Sequence, residues 1–345
     1  MAASTLLDQL RTLSAVDCDT LDVEVARKLG PFVDCTSNQA IAFGELSKVD
    51  ADGVPVYKSL ISKAIQLAHW KLARHVDATL EELAVEIMMV LLLLQFAPYL
   101  KGYCHIQTNP RWSYSTQKTV KNAERIVSHF EELSSEVPGF DIKRVCIKIA
   151  STWEGLQACR ELEKRGIATL ATTMFCMEQA ALAADAGCTY IAPYVNELRV
   201  HFDPSYTDAN KAFAFCGEAQ RYYELCGSKT RVLPASLTSA EEVMQLAGIH
   251  HITVSPPLLA ELAATPAEGW KSSDVVGQTL REAPIPPASA GGLYDSIVRD
   301  EAAWRLAFTR SNNGGSEGKI IQAINIFLRM QDDLENMARQ QSAVV

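Results

Sequence analysis

The residues best placed to do chemistry lie in one stretch, Val145-Cys-Ile-Lys-Ile-Ala-Ser-Thr-Trp-Glu-Gly155. Val145, Ile147 and Ile149 alternate with Cys146, Lys148 and Ala150. That is the period of a β-strand, with Lys148 among the inward candidates. Ser151 and Thr152 offer N-caps for a helix starting near Trp153. Burying an ammonium near the C-terminal end of a strand is costly, so the amine is driven toward its neutral form. A neutral amine attacks carbonyls. The competing reading is a lysine that snorkels out of the strand end and pairs with a carboxylate.

The elements that must position this lysine are short and apolar. Candidate strands fall at 13–18, 32–35, 103–107, the lysine stretch, 168–175, 189–193, 230–234 and 251–254, mostly with one helix between successive strands. Strand–helix alternation implies parallel strands with right-handed crossovers. Eight such units close into a (β/α)8 TIM barrel, here with an N-terminal helix and a C-terminal helical extension. The rival, an open doubly wound sheet, usually announces itself with a glycine-rich turn after the first strand, and none is present. The expected organisation is one domain over 1–345, with the barrel at about 13–265 and a C-terminal loop and helices at about 266–345. Proline and paired glycines make 278–292 a loop, and 318–340 has the helical spacing of a segment that packs back on the barrel.

Composition narrows the function. A formal charge of −9 argues against nucleic acid and anionic membranes as partners. The first residues lack the pattern of a secretory signal, and the apolar run 87–94 is far below the roughly 20 residues needed to span a bilayer. Nine cysteines without C-x-x-C spacing read as reduced core residues of a cytoplasmic protein. His250-His251 has no third ligand at a sensible spacing for zinc. Gly314 to Lys319 lacks both the leading glycine and the preceding strand of a phosphate loop.

In a parallel barrel the active site lies at the C-terminal ends of the strands. The polar residues there are Asp19, Asn38, Gln107, Asn109, Lys148, Thr172, Tyr194 and Ser236, from seven strands. Each has a plain alternative: Asp19 as a helix cap, Asn38 as a turn residue, Tyr194 as a rim aromatic. Together, one amine, one carboxylate and a set of amide and hydroxyl groups suit carbonyl chemistry through an imine.

Lys148-Ile-Ala-Ser-Thr-Trp-Glu-Gly155 resembles the Schiff-base lysine segment of the transaldolase family. Asp34-Cys-Thr-Ser-Asn38 resembles its second-strand Asp-Ala-Thr-Thr-Asn, Arg111-Trp-Ser-Tyr114 its Arg-Leu-Ser-Tyr, and the stretch from Leu246 to Val254 its last barrel strand. The resemblance runs from about Asp17 to the C-terminal helix. It implies a class I aldolase-type barrel in which Lys148 forms the imine and Asp19 handles the proton of the hydroxyl cleaved or formed. Thr172 would help hold the catalytic water, and Asn38 and Ser236 would contact substrate. No metal or organic cofactor is then expected, because the iminium itself is the electron sink, and the expected partner is a small carbonyl compound. A homodimer through the C-terminal helix is a further expectation.

Departures from the family pattern carry as much information. The family's catalytic glutamate aligns with Gln107, which can orient water but cannot act as an acid or base. Transaldolase-like fructose-6-phosphate aldolases also carry glutamine there, and a tyrosine where Tyr194 stands, so Tyr194 becomes the expected acid–base group. The family's phosphate-binding arginines align with Glu197 and Thr238. Losing two charge-assisted hydrogen bonds of roughly 1.5–3 kcal/mol each would weaken a sugar phosphate about 10²–10⁴-fold. Arg199, two residues on, is the candidate to compensate. Three readings follow: an imine-forming aldolase acting on an unphosphorylated carbonyl compound, a transaldolase of sugar phosphates, and a silent barrel kept as a binding protein.

Overall fold

Period-two alternation gives each strand two apolar faces, and the computed structural model, which describes residues 4–270 and 294–342, sends those faces to two separate cores. The strands are β1 (Ala15–Cys18), β3 (Cys104–Gln107), β4 (Val145–Ala150), β5 (Ala168–Met174), β6 (Tyr190–Pro193), β7 (Arg231–Val232) and β8 (His251–Val254), and the segment 32–35, held by isolated parallel bridges rather than a continuous ladder, takes the place of β2. Outward residues such as Ile147, Ala171, Ile191 and Val232 join the core beneath the helices. Inward residues Cys146, Leu170, Tyr190, Tyr194 and Leu233 form a distinct cluster in the lumen.

All the pairings between these strands are parallel: β3 to β7 in sequence order, and β8 with β1. β2 bridges the gap between β1 and β3. Cys18 N–H donates to Asp34 O (3.0 Å), and Cys35 N–H donates to Tyr103 O (3.1 Å). Thr253 N–H donates to Pro234 O (3.2 Å), which joins the chain after β7 to β8 and closes the ring. The fold is thus the (β/α)8 barrel that the alternation predicts.

The N-terminal helix α1 (Leu6–Leu13) begins with a capping box between Thr5 and Asp8. Leu13 ends this helix rather than starting a strand, so β1 is shorter than the apolar run in the sequence. The other helices that matter for the site are α2 (Val23–Leu29), α3 (Gln39–Leu46), α4 (Lys58–Lys71) and α5 (Leu80–Phe96). They are followed by α6 (Thr116–Leu133), α7 (Trp153–Lys164), α8 (Met177–Ala186), α9 (Phe213–Cys226), α10 (Ala240–Gln245) and α11 (Pro256–Ala264). The extension forms α12 (Glu301–Arg310) and α13 (Gly315–Ser342). The loop expected at 278–292 lies outside the described residues. Among the described residues no helix is long and apolar enough to cross a membrane.

The last helix is an amphipathic rod whose apolar side faces the barrel mouth. Ala323, Ile326 and Phe327 join the lumen cluster, while Ile320, Ile324 and Leu334 join the outer core. Arg111, in the turn after β3, fastens it there through Glu335 (2.5 Å) and Asp332. Gly155 shows why the lysine segment ends in glycine. A Cβ there would sit 2.0 Å from the Ala150 carbonyl oxygen, so any side chain would push α7 off the end of β4.

Candidate active site

β4 holds Lys148 inside the lumen with a side chain only 2% exposed. Among the described residues its ammonium makes no ion pair, so the snorkelling reading does not describe this lysine. Burial pulls its pKa below the ordinary lysine value, and the nearby Asp19 carboxylate offsets part of that pull. Asp19 follows β1, and its Oδ1 accepts from Thr36 Oγ1 at 2.6 Å. Thr36 Oγ1 also lies 2.6 Å from Thr253 Oγ1. The helix cap next to it is Asp22, not Asp19.

Lys148, Asp19, Asn38, Tyr194 and Ser236 line one cavity of about 190 Å³. Asn38 is both a lining residue and the N-cap of α3, where its Oδ1 accepts from Ile41 N–H (2.9 Å). That bond leaves the Asn38 amide NH2 for the cavity. Burial pushes the Tyr194 phenol up, Thr172 beside it pulls the other way, and Asp19 adds to the rise. Thr172 stands opposite Ala192 across the β5–β6 ladder, with its side chain interacting with Tyr194 just beyond β6, and Gln107 stands level with Lys148 across the β3–β4 ladder. Thr172 Oγ1 and Gln107 Oε1 are both buried without a full hydrogen bond among the described residues. Unsatisfied buried polar atoms are rare, and these two flank the lysine.

The roof comes from outside the strands. Leu198 and Phe202 descend from the loop after β6, and Phe327 from α13. His201 lines the same wall, with Nε2 2.9 Å from Ser236 Oγ. His201, Ser255 and Phe327 belong to no motif in the sequence. His201 lies in a loop, and Phe327 is 91 residues beyond Ser236, the nearest strand-end candidate, so only the fold brings them in.

Two of the expected binding residues stand elsewhere. Asn109 is engaged on all sides: its N–H donates to Asn122 Oδ1 (2.7 Å), its Oδ1 accepts from Arg111 N–H (3.0 Å), and its Nδ2 donates to Glu82 (3.3 Å). It braces the turn after β3 against α5 and is not a lining residue. Arg199 is on the rim, paired with Asp203 (2.6 Å) and stacked over the Tyr206 ring (4.3 Å). Two further cations are paired too, Lys211 with Glu242 (2.5 Å) and Lys319 with Asp208 (2.8 Å). Glu242 also accepts from Thr238 N–H (2.7 Å) and Asn196 Nδ2 (2.9 Å), so Thr238 stands in an acid-centred network. Among the described residues lining the cavity, Lys148 and His201 carry the only basic nitrogens.

Below the site the lumen is plugged by a layer that the sequence pattern does not announce. His105 Nε2 lies 3.0 Å from Asp34 Oδ2, and His251 Nδ1 2.9 Å from Asp17 Oδ2. The Tyr190 ring stands edge-on to both imidazoles, at 5.2 and 5.1 Å. Spacing alone gave His251 no further ligand, but the fold brings Asp17 and Asp34 to it, with ligand-type atoms within 4.8 Å of one another. These groups bond to one another, and Arg231 approaches the far side of His251 at 3.4 Å.

Comparison with known proteins places the chain in a family. A sequence profile of the transaldolase/fructose-6-phosphate aldolase family matches residues 16–287. A transaldolase of Alteromonas mediterranea is 33% identical over 271 residues, covering 77% of this chain and 81% of that protein. A transaldolase of Shewanella loihica is 29% identical over 348 residues, covering 96% and 97%. One of Prochlorococcus marinus is 29% identical over 327 residues, covering 90% and 77%. With the profile spanning well over half of its length, this chain belongs to the transaldolase/fructose-6-phosphate aldolase family of Schiff-base enzymes.

Proposed function

We propose that Lys148 forms a Schiff base with an unphosphorylated ketone or aldehyde and makes, breaks or transfers a carbon–carbon bond next to it. The observation that carries this reading is the buried Lys148 amine, without an ion-pair partner among the described residues, in a cavity shared with Asp19 and Tyr194. The amine adds to the carbonyl carbon, and loss of water leaves an iminium. The iminium draws electrons from the adjacent C–C bond, which breaks to an enamine and an aldehyde, or forms in reverse. Asp19, oriented by Thr36, takes or returns the proton of the reacting hydroxyl. Tyr194 exchanges the proton at the enamine carbon, and Gln107 and Thr172 orient the water that makes and hydrolyses the imine. Asn38 and Ser236 hold the substrate's hydroxyl groups.

The preference for an uncharged substrate is supported by the acid-centred network at Glu242, by Glu197 at an arginine position, and by a roof of Leu198, Phe202 and Phe327. A phosphate there would meet carboxylates whose cations are already engaged. The relatives' name favours a second reading, transfer of dihydroxyacetone between sugar phosphates. Turnover separates the two. Aldol addition of dihydroxyacetone to unphosphorylated aldehydes should exceed transfer from fructose 6-phosphate to erythrose 4-phosphate at equal concentrations. Faster transfer between the phosphates would establish the second reading instead.

A further inference from the structure

His201 takes no part in any pattern that marks the site, yet it stands in the cavity wall. It ends a single 3-10 turn, Leu198–His201, between two apolar lining residues, Leu198 and Phe202. Its Nε2 pairs with Ser236 Oγ at 2.9 Å. Ser236 has φ +62°, a left-handed backbone that a non-glycine residue keeps only when its surroundings enforce it. The enforcement comes from Asn196, whose backbone N–H (3.2 Å) and Nδ2 (2.8 Å) both donate to the Ser236 carbonyl, and from His201 at the hydroxyl. The two loops that carry Glu197 and Thr238 are thus locked together around one imidazole. Burial keeps that imidazole below its ordinary pKa, with Asp19 and Glu242 opposing. At neutral pH it therefore offers hydrogen bonding without charge.

We propose that His201 is the specificity-determining residue for the substrate half remote from Lys148, where its imidazole takes an uncharged hydroxyl or carbonyl oxygen in the place of a phosphate-binding cation. The assignment rests on the Schiff-base reading above. Strained backbone on one side of the imidazole and an apolar wall on the other fix its position, as recognition of a single oxygen requires.

The test uses two acceptors that differ only in a phosphate, D-glyceraldehyde and D-glyceraldehyde 3-phosphate, with dihydroxyacetone as donor. Wild type, His201→Ala and His201→Arg are compared, and borohydride trapping of dihydroxyacetone reports the integrity of Lys148 in each. His201→Ala should raise KM for glyceraldehyde about 3- to 10-fold, the worth of one neutral hydrogen bond, with kcat and trapping retained. His201→Arg should shift the ratio of kcat/KM toward the phosphorylated acceptor by about tenfold or more. A purely structural role would lower both acceptors equally. Equal losses, or an unchanged ratio with trapping intact, overturn the assignment to His201 and leave the Schiff-base reading standing. A wild type that traps nothing, or that prefers the phosphorylated acceptor, overturns both. If His201→Arg does not fold, His201→Ala decides, because its KM effect must be larger for glyceraldehyde than for the phosphate.

Discussion

A lysine in the middle of a barrel lumen is a local conflict between stability and chemistry. Burial favours the neutral amine, and the neutral amine is the nucleophile. Imine formation should therefore rise with pH and level off with a midpoint below the free-lysine value of about 10.4, as read by borohydride trapping across pH. Replacing Lys148 by Met removes an uncompensated buried polar group. The variant should trap nothing and should melt a few degrees above wild type, since about 1–3 kcal/mol is at stake and large chains gain about 2–4 °C per kcal/mol. Tyr194→Phe keeps the packing and loses the proton. It should lower kcat by about 10²–10⁴-fold with KM nearly unchanged, measured by steady-state kinetics.

At the scale of elements, α13 matters as much as any strand, because it brings Phe327 over the mouth. Arg111 holds it through Glu335 and Asp332 and approaches Glu82 at 3.5 Å. Arg111→Ala would leave Glu82 and Glu335 partly buried without their cation. Discounted for the third of the arginine that is exposed, the loss should be about 1–2 kcal/mol. The diagnostic readout is amide hydrogen exchange, which should speed up in α13 more than in the strands, with a higher KM. The strand ends and the lysine segment were legible because β-periodicity, caps and turn glycines are local signals. β2 was legible as a short apolar stretch and by the resemblance of Asp34 to Asn38, but its irregular pairing was not. Asp17 Oδ1 accepts the Asp34 N–H (2.9 Å) and Asp34 Oδ1 accepts the Tyr103 N–H (2.7 Å), so carboxylates replace part of a regular ladder. Asn109 and Arg199 show the opposite limit. Their polarity and position in the chain suggested the site, but their own partners, Glu82 and Asp203, turn them elsewhere. His201 carried no local signal, since a histidine in a loop reads the same whether it faces a cavity or solvent.

The whole molecule divides the lumen into a reactive upper part and a plugged lower part. The lower layer sets Asp17, Asp34, His105 and His251 against one another and against Tyr190. Burial alone would lower the His251 pKa, but the bond to Asp17 and the charges of Asp17 and Asp34 raise it overall. A raised histidine contributes stability that is complete below its unfolded value of about 6.5 and fades as pH rises through its folded value. The stability difference between wild type and His251→Gln, measured by urea unfolding, should therefore be constant below about pH 6.5 and shrink above it. His251→Ala should cost about 3–5 kcal/mol by leaving Asp17 buried without its partner, while dihydroxyacetone trapping on the folded fraction persists. Loss of trapping with the fold intact would show that the two layers are not separate.

Everything in the site turns on whether Lys148 forms an imine with an uncharged carbonyl compound. Intact-mass spectrometry after borohydride reduction, with peptide mapping, tests it directly in wild type and Lys148→Met exposed to dihydroxyacetone and to fructose 6-phosphate. One reduced adduct of dihydroxyacetone is expected on Lys148, absent from Lys148→Met and formed at lower concentration than any adduct from fructose 6-phosphate. An adduct on another residue, a stronger one from fructose 6-phosphate, or none from either compound would contradict that expectation.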